Sequence, residues 1–475
     1  MLFNSLEFAL FLPTVFILYW FVFNKTLKLQ NFFLFLVSYV FYAWWDWRFL
    51  VLIAFSTLTD FFTGILLEQN EDEKKRKIIF TTSLLINLCL LGFFKYFNFF
   101  VDSFIQMFST VGITLQATTL NIILPVGISF YTFQSITYTY AVYKRNMKPT
   151  RDIITFFAYV SFFPQLVAGP IERATHFLPQ FLNERKFDYV KATDGLRQIL
   201  WGLFKKIVIA DNLAPFVNDI FANYETLPGS TLLYGVMLFA IQIYGDFSGY
   251  TDIAIGTPRL FGFELAQNFN FPYFSKNLTT FWRKWHISLT SWFTEYLYTP
   301  IVIKKRDWGN YATLFGIFVT FGVSGLWHGA KWTFIIWGLM HGIGLSFEFL
   351  TKKQRKKWNK NLPPLLLDIV GGTITFLFVC ISYIFFRAES IKQATGYFAN
   401  IFSSSLFTMP NFSVFAVGLI IPFMFIEYLQ RKKVHSLQIE RLKSPFVRWT
   451  IYVSVCFITL FFSKSEVFEF IYFQF

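Results

Sequence analysis

The stretch FGVSGLWHGAKWTFIIWGLMHGIG, residues 321–344, sets the end of one apolar run against the start of another, with Trp327, His328 and Gly329 at the break. The runs, 311–327 and 330–350, are each close to the ~20 apolar residues that a helix needs to cross a bilayer. Read as a hairpin of membrane-crossing helices, they decide the fold class: all-α and polytopic, since helices satisfy their own backbone in lipid. His328 falls at the break and His341 lies well inside the second run. Imidazole is the side chain whose ordinary pKa lies nearest neutrality, so it exchanges protons at working pH. In a bilayer such a group is costly and reads first as a functional site, with a core histidine bonded to a carbonyl as the rival reading. On one continuous helix the two rings would differ by roughly 20 Å in height and about 140° in direction. They therefore do not form an adjacent pair.

The rest of the chain agrees. Of 475 residues, 55% are hydrophobic and 15% charged, where soluble domains carry roughly a quarter charged. Runs suited to spanning are 6–23, 30–46, 48–67, 78–99, 121–143, 153–169, 230–247, 311–327, 330–350, 365–386, 411–428 and 447–463. Short or polar-bearing runs suit tilted, re-entrant or protein-buried segments, which gives about 11–13 membrane segments in all. The net charge of +14 lies in short loops between runs, where it orients spans and calls for no nucleic-acid partner. Basic loops follow the first, third and fifth runs, while 102–121 holds no Lys or Arg. That alternation places the amino terminus outside and 307–350 as a hairpin rooted in the cytoplasm, with His328 toward the outer side or at the floor of a funnel open to it. The first run has no basic region before it and no cleavage pattern after it, and reads as a retained span. Cys89, Cys380 and Cys456 lie far apart in apolar stretches, which supports neither a disulfide framework nor a zinc site. With no repeat or long linker, 1–475 reads as one membrane domain whose core, 121–350, holds most of the intramembrane polar residues.

Polar groups cluster in that core. YGDFSGYTDIAIG, 244–256, places Asp246 and Asp252 about Ser248, with Gly245, Gly249 and Gly256 among them. Such acids need partners, and the glycines permit close backbone approach or a broken helix. Pairing with Arg or Lys is favoured over orienting an imidazole, because six residues do not bring both acids to one helical face. The interrupted runs 124–143, with Gln134, and 161–181 read as cavity-lining. Segment 170–228, with Lys205 and Lys206, reads as interfacial or short re-entrant helices. FWRKWHISLTSWFTEYLY, 281–298, predicts an interfacial helix with Trp282, Trp285, Leu289, Trp292, Phe293 and Tyr296 on one face. Asn277, Thr279 or Thr280 caps it, and it carries His286. His176 and His435, beside charged residues, read as surface positions.

No GxxxxGK[ST], GxSxG, HExxH or C-x-x-C pattern is present, so nucleotide hydrolysis, serine-elbow hydrolysis and zinc catalysis have no support. The blocks that are present are LPVGISFYTFQ (124–134), SFFPQLVAGPIER (161–173), DFSGYTDIAIG (246–256), RLFGF with NFNFPY (259–273), FWRKWHISLTSWF (281–293) and GLWHGAKWTFIIWGLMHG (325–342). In this order they resemble the membrane-bound O-acyltransferase family, within it the bacterial branch of the alginate O-acetyltransferase membrane subunit and the teichoic acid D-alanyl transferase. The chain departs from the family's pattern at Ala141, at Pro258 with Arg259, and at Thr294 with Glu295.

The resemblance implies a multi-helix bacterial inner-membrane protein, pierced by a tunnel from a cytoplasmic donor to an outward-facing acceptor. It implies His328 as catalytic histidine and His286 as the second histidine near the tunnel, with no metal and no permanently bound cofactor. The donor substrate would be an acyl-CoA, acetyl-CoA above all, or an acyl-carrier thioester. The acceptor would be a glycan or an extracytoplasmic acyl-accepting transferase. A thioester is already activated, so His328 need only deprotonate the acceptor hydroxyl and then protonate the thiolate. Trp327, Trp332 and Trp337 would exclude water, while His286 would position the thioester or bond the oxyanion. His341, Asp246, Asp252, Ser248, Gln134, Trp282 and Trp285 would line or support the tunnel. The rivals are D-alanyl transfer from a carrier protein, acylation of a lipid or protein, a secondary transporter, and a non-catalytic scaffold.

Overall fold

A computed structural model describes residues 1–115, 120, 122–167, 169–360, 363–463 and 470–471. Parts of three expected features therefore lie outside the described residues: 116–119 in the basic-free segment, 121 at the head of the fifth run, and Ala168 in the 161–173 block. All regular structure among the described residues is helical. The segments long and apolar enough to cross a membrane are Leu27–Gln69, Glu73–Thr110, Gly229–Leu260, Asn310–His328, Trp332–Leu350 and Pro364–Arg387, joined by the shorter apolar Leu6–Val22, Val414–Gln430 and Pro445–Phe461. The first of these bends through Trp47–Phe49 into two helices, so the expected runs at 30–46 and 48–67 each have their own helix. The chain divides into two compact units, residues 1–196 with 253–266, and residues 197–252 with 267–475.

In the first unit, apolar helices are pinned together by side-chain hydrogen bonds. Asn31 Nδ2 donates to Thr155 Oγ1 at 2.9 Å and to the Phe181 carbonyl at 2.8 Å. Asp60, wholly buried, accepts from Ser83 Oγ at 2.7 Å and Asn87 Nδ2 at 3.0 Å. Polar groups in lipid-facing proteins need such partners. Gln134 donates to the Tyr159 carbonyl at 3.0 Å. It joins helix Ile128–Tyr143 to Ile153–Ser161. The run expected at 153–169 is broken, as its sequence suggests: the helix stops at Ser161 and restarts as Phe163–Leu166.

In the second unit the hairpin is present as Asn310–His328 and Trp332–Leu350. A Cβ on Gly325 would strike the Phe334 carbonyl, and one on Gly338 the Phe321 carbonyl, so glycine lets the two backbones touch. One open alternative is decided and one expectation is corrected. Of the two uses open to the 244–256 glycines, the broken helix is not taken, and the helix runs unbroken from Gly229 to Leu260. Its glycines serve packing instead: a Cβ on Gly249 would lie 2.7 Å from the Gly202 carbonyl. The helix expected over 281–298 is interrupted: Leu278–Trp282 ends, His286 adopts a left-handed backbone, and Ile287–Phe293 begins anew. Asn277 caps the first piece by accepting from Thr280 N. Trp282, Trp285, Leu289, Trp292 and Phe293 are buried in protein, so this is no flat interfacial helix.

Candidate active site

The second unit holds a row of alternating imidazole and indole rings. His286 lies 6.0 Å from Trp327, Trp327 5.0 Å from His328, His328 4.9 Å from Trp337, and Trp337 5.0 Å from His341, centroid to centroid. His328 ends helix Asn310–His328 and is 3% exposed. Trp337, one helical turn before His341, stands between the two histidines of the hairpin. They are neighbours of one ring rather than of each other; because the helix is broken between them, the separation of roughly 20 Å expected on one continuous helix does not hold, and each lies within 5.0 Å of the Trp337 ring. Phe386 closes the cage, 5.3 Å from His328 and 5.1 Å from Trp337. The indole N–H of Trp337 is buried and has no hydrogen-bond partner among the described residues, an unusual state for a donor of its strength.

The orientation of His286 follows from a short loop beside it. Asn268 Oδ1 accepts from Ser288 N at 3.2 Å and Ser288 Oγ at 2.9 Å, and meets His286 Nδ1 at 3.0 Å. The Ser288 backbone N–H can only donate, so the atom facing it is the amide oxygen. An amide oxygen can only accept, so Nδ1 carries the proton. In the neutral ring Nε2 is then the acceptor nitrogen. The loop is itself held by main-chain bonds, Ile287 N to the Asn268 carbonyl at 2.8 Å and Asn270 N to the Lys284 carbonyl at 3.0 Å. His286 has φ of 44° and ψ of 54°, a left-handed backbone that a non-glycine residue adopts at a cost of order 1–3 kcal/mol and that collects at functional sites. Phe247 meets the His286 ring edge-on at 4.7 Å.

His341 is fixed differently. Trp282 Nε1 donates to its Nδ1 at 3.3 Å, and its Nε2 meets Ser382 Oγ at 3.0 Å. Ser382 Oγ donates in turn to the Val379 carbonyl at 2.7 Å. Proton counting closes the chain: Nδ1 accepts, Nε2–H donates, and the serine hydroxyl passes its own hydrogen to the carbonyl. Both nitrogens are consumed.

The two aspartates form ion pairs. Asp252 meets Lys205 Nζ at 2.6 Å, and Asp246 meets Lys206 Nζ at 2.7 Å. Lys206 also reaches Asp211 at 2.7 Å, and Lys205 donates to Ser248 Oγ at 2.8 Å. Consecutive lysines thus serve acids on different faces of Gly229–Leu260, as expected from their spacing. The segment 204–210 is therefore not interfacial: Lys205 and Lys206 are buried. Buried Glu427 gathers Tyr244 OH at 2.5 Å, Trp201 Nε1 at 3.1 Å and Ser436 Oγ at 2.8 Å.

Other expected residues fall elsewhere. Trp332 is 50% exposed and does not share the burial of Trp327 and Trp337. Gln134 belongs to the first unit. His176 is on the surface, 3.0 Å from Glu172, whose hydrogen bond raises its pKa above the ordinary histidine value. His435 is buried rather than exposed. Among the described residues no group of His, Cys, Asp and Glu could hold a metal ion. A cavity of about 400 Å³ in the second unit is apolar and reaches Tyr273, whose ring lies 6.0 Å from Trp285. Sequence reading missed Asn268, Glu427 and the burial of the lysine pair. Asn268 had a signal: it stands inside a quoted block, in a polar loop between apolar segments.

The model of the MBOAT family, membrane-bound O-acyltransferases, matches residues 39–387. A protein named probable alginate O-acetylase, from Pseudomonas aeruginosa, is 38% identical over 407 residues, 85% of this chain and 75% of its own length. The peptidoglycan O-acetyltransferase of Helicobacter pylori is 35% identical, over 83% of this chain and 78% of that protein. The teichoic acid D-alanyltransferase of Bacillus subtilis is 30% identical, over 57% and 70%.

Proposed function

From the premise that this chain belongs to the membrane-bound O-acyltransferase family and is a multi-pass membrane acyltransferase, we propose that it moves an acetyl group from a thioester on the cytoplasmic side to a hydroxyl on the outer side, for O-acetylation of a cell-envelope polysaccharide. The observation that carries this reading is the ring row itself: buried imidazoles set in an aromatic cage that keeps water from an activated ester. The O-acetyl relatives, covering over four-fifths of the chain, favour acetyl over D-alanyl transfer.

In this mechanism His328 takes the proton of the acceptor hydroxyl as its oxygen attacks the thioester carbonyl. The carbon–sulfur bond then breaks, and the imidazolium returns the proton to the thiolate. His286, held by Asn268 with Nε2 as acceptor, suits a group that receives a hydrogen bond from a second hydroxyl of the polysaccharide, since the one proton of the attacking hydroxyl goes to His328. Its tautomer argues against the oxyanion-donor role that the sequence left open. Trp337 Nε1–H is the better donor for the oxyanion, being buried and without a protein acceptor among the described residues. His341 has no nitrogen left to offer and holds the cage in place.

The test is transfer of labelled acetyl in sealed, inside-out vesicles bearing the protein. Acetyl thioester supplied at the cytoplasmic face should yield labelled acceptor within the lumen. Label appearing only as free acetate, with any acceptor supplied, would contradict the reading.

A further inference from the structure

The apolar cavity of about 400 Å³ is walled by three apolar helices: Met237 and Ile241 come from Gly229–Leu260, Phe376 from Pro364–Arg387, and Ile421 and Met424 from Val414–Gln430. The first two are long enough to cross a membrane, and the third is a shorter apolar segment. The cavity therefore lies at bilayer depth. Ile421 is 64% exposed, so the space opens sideways toward hydrocarbon. At its inner side stands Tyr273, whose hydroxyl donates to the Ala240 carbonyl at 2.6 Å and so is already satisfied. Water gains too few partners on such walls, and a sugar hydroxyl would lose its own.

The Tyr273 ring carries the influence of this space inward. It meets Phe376 and Tyr244 edge-on, each at 5.3 Å, and lies 6.0 Å from Trp285 and 6.3 Å from Phe281. Trp285 immediately precedes the left-handed turn at His286. A void behind Tyr273 would forfeit dispersion contacts on that side, and packed interiors hold few voids larger than a water molecule.

We propose that this cavity holds one acyl tail of a bilayer phospholipid, which backs Tyr273 and so steadies Trp285 and the His286 turn. The position between membrane segments and the apolar walls select hydrocarbon. Width selects a single tail: a helix with its side chains is about 10 Å across, too broad for this space, whereas one methylene row threads it. The thioethers of Met237 and Met424 adapt to a flexible occupant. The tail of a long-chain acyl thioester has the same chemistry and is the competing source.

The experiment places the full-length protein in nanodiscs of phosphatidylcholine that carries a diazirine on its acyl tail, and maps the photoproducts by peptide mass spectrometry. Labelling needs no turnover, so its result stands apart from the acetyl-transfer reading. Met237, Ile421 and Met424 should be labelled at least about fivefold above Ile374 and Phe425, which face outward on two of the same helices, 62% and 60% exposed. V417F/I420F, which fills the cavity from its wall, should lose this excess and keep the labelling of Ile374. A second measurement needs no substitution: stripping lipid from the wild-type protein with detergent should speed amide hydrogen exchange over 278–286 by about tenfold, reversibly on adding phosphatidylcholine, with helix Ile391–Ile401 unchanged. Equal labelling of cavity and outward positions, or exchange over 278–286 that ignores lipid, would overturn the proposal. So would loss of the excess on adding palmitoyl-coenzyme A, which would give the cavity to the tail of a donor.

Discussion

His341 and His286 are both wholly buried, yet their nitrogens are used in opposite ways. At His341, Trp282 and Ser382 occupy both ring nitrogens, and the hydrogen bonds run on to a backbone carbonyl. At His286, Asn268 takes Nδ1 and thereby fixes Nε2 as the acceptor, on a strained turn beside Trp327. Burial alone therefore does not decide what a histidine nitrogen can do. What separates the two is the direction of the hydrogen bonds around them.

That contrast can be broken or sharpened by substitution. The largest structural effect should come from the charged cluster, which stands outside the contrast and sets its scale. Lys206→Met leaves Asp246 and Asp211 without their shared cation and should cost about 3–5 kcal/mol of stability, read as loss of folded protein in detergent by thermal unfolding. His286→Ala should keep its fold and lose about 10²- to 10³-fold in kcat; activity within threefold of wild type would erase the contrast. Asn268→Ala removes only the group that sets the tautomer, and should lose about 10- to 10²-fold, as for partners that orient a reacting imidazole. Full activity there would mean that the ring needs no orientation. His341→Gln, which can still bond Trp282 or Ser382, should stay within about tenfold in kcat while losing about 1–3 kcal/mol of stability.

The smallest effect concerns His176. Its pKa is raised in the folded state by Glu172, so the pair's contribution is complete below the unfolded histidine value and fades as pH rises through the folded one. The ring is largely exposed, and His176→Gln should leave acetyl transfer unchanged. An NMR titration of His176 in the Glu172→Gln variant should move downward; an unmoved titration would remove the pair.

The fold was legible wherever length and hydropathy decide it. The hairpin about His328 and the cap at Asn277 follow from local pattern, and Trp332–Leu350 and Pro364–Arg387 begin and end close to the expected runs, whereas Gly229–Leu260 outruns 230–247 and Ile128–Tyr143 starts well inside 121–143. What escaped was tertiary. Lys205 and Lys206 looked interfacial because an amphipathic reading cannot see the acids, Asp252 and Asp246, that a second helix brings to them. The 281–298 stripe is helical in period, but the turn at His286 depends on the 268–270 loop, which periodicity does not report. The glycines of 244–256 read as hinge or as contact, and only the Gly202 carbonyl decides for contact. Within the site, His328, His286 and His341 were legible as residues. Their roles were not, because roles depend on which atoms face each nitrogen.

The most direct test of the account is acetyl transfer by His328→Ala, measured beside His341→Gln at matched membrane levels of protein. The account predicts a loss of at least about 10³-fold for His328→Ala and near-normal turnover for His341→Gln. Wild-type turnover by His328→Ala would contradict it.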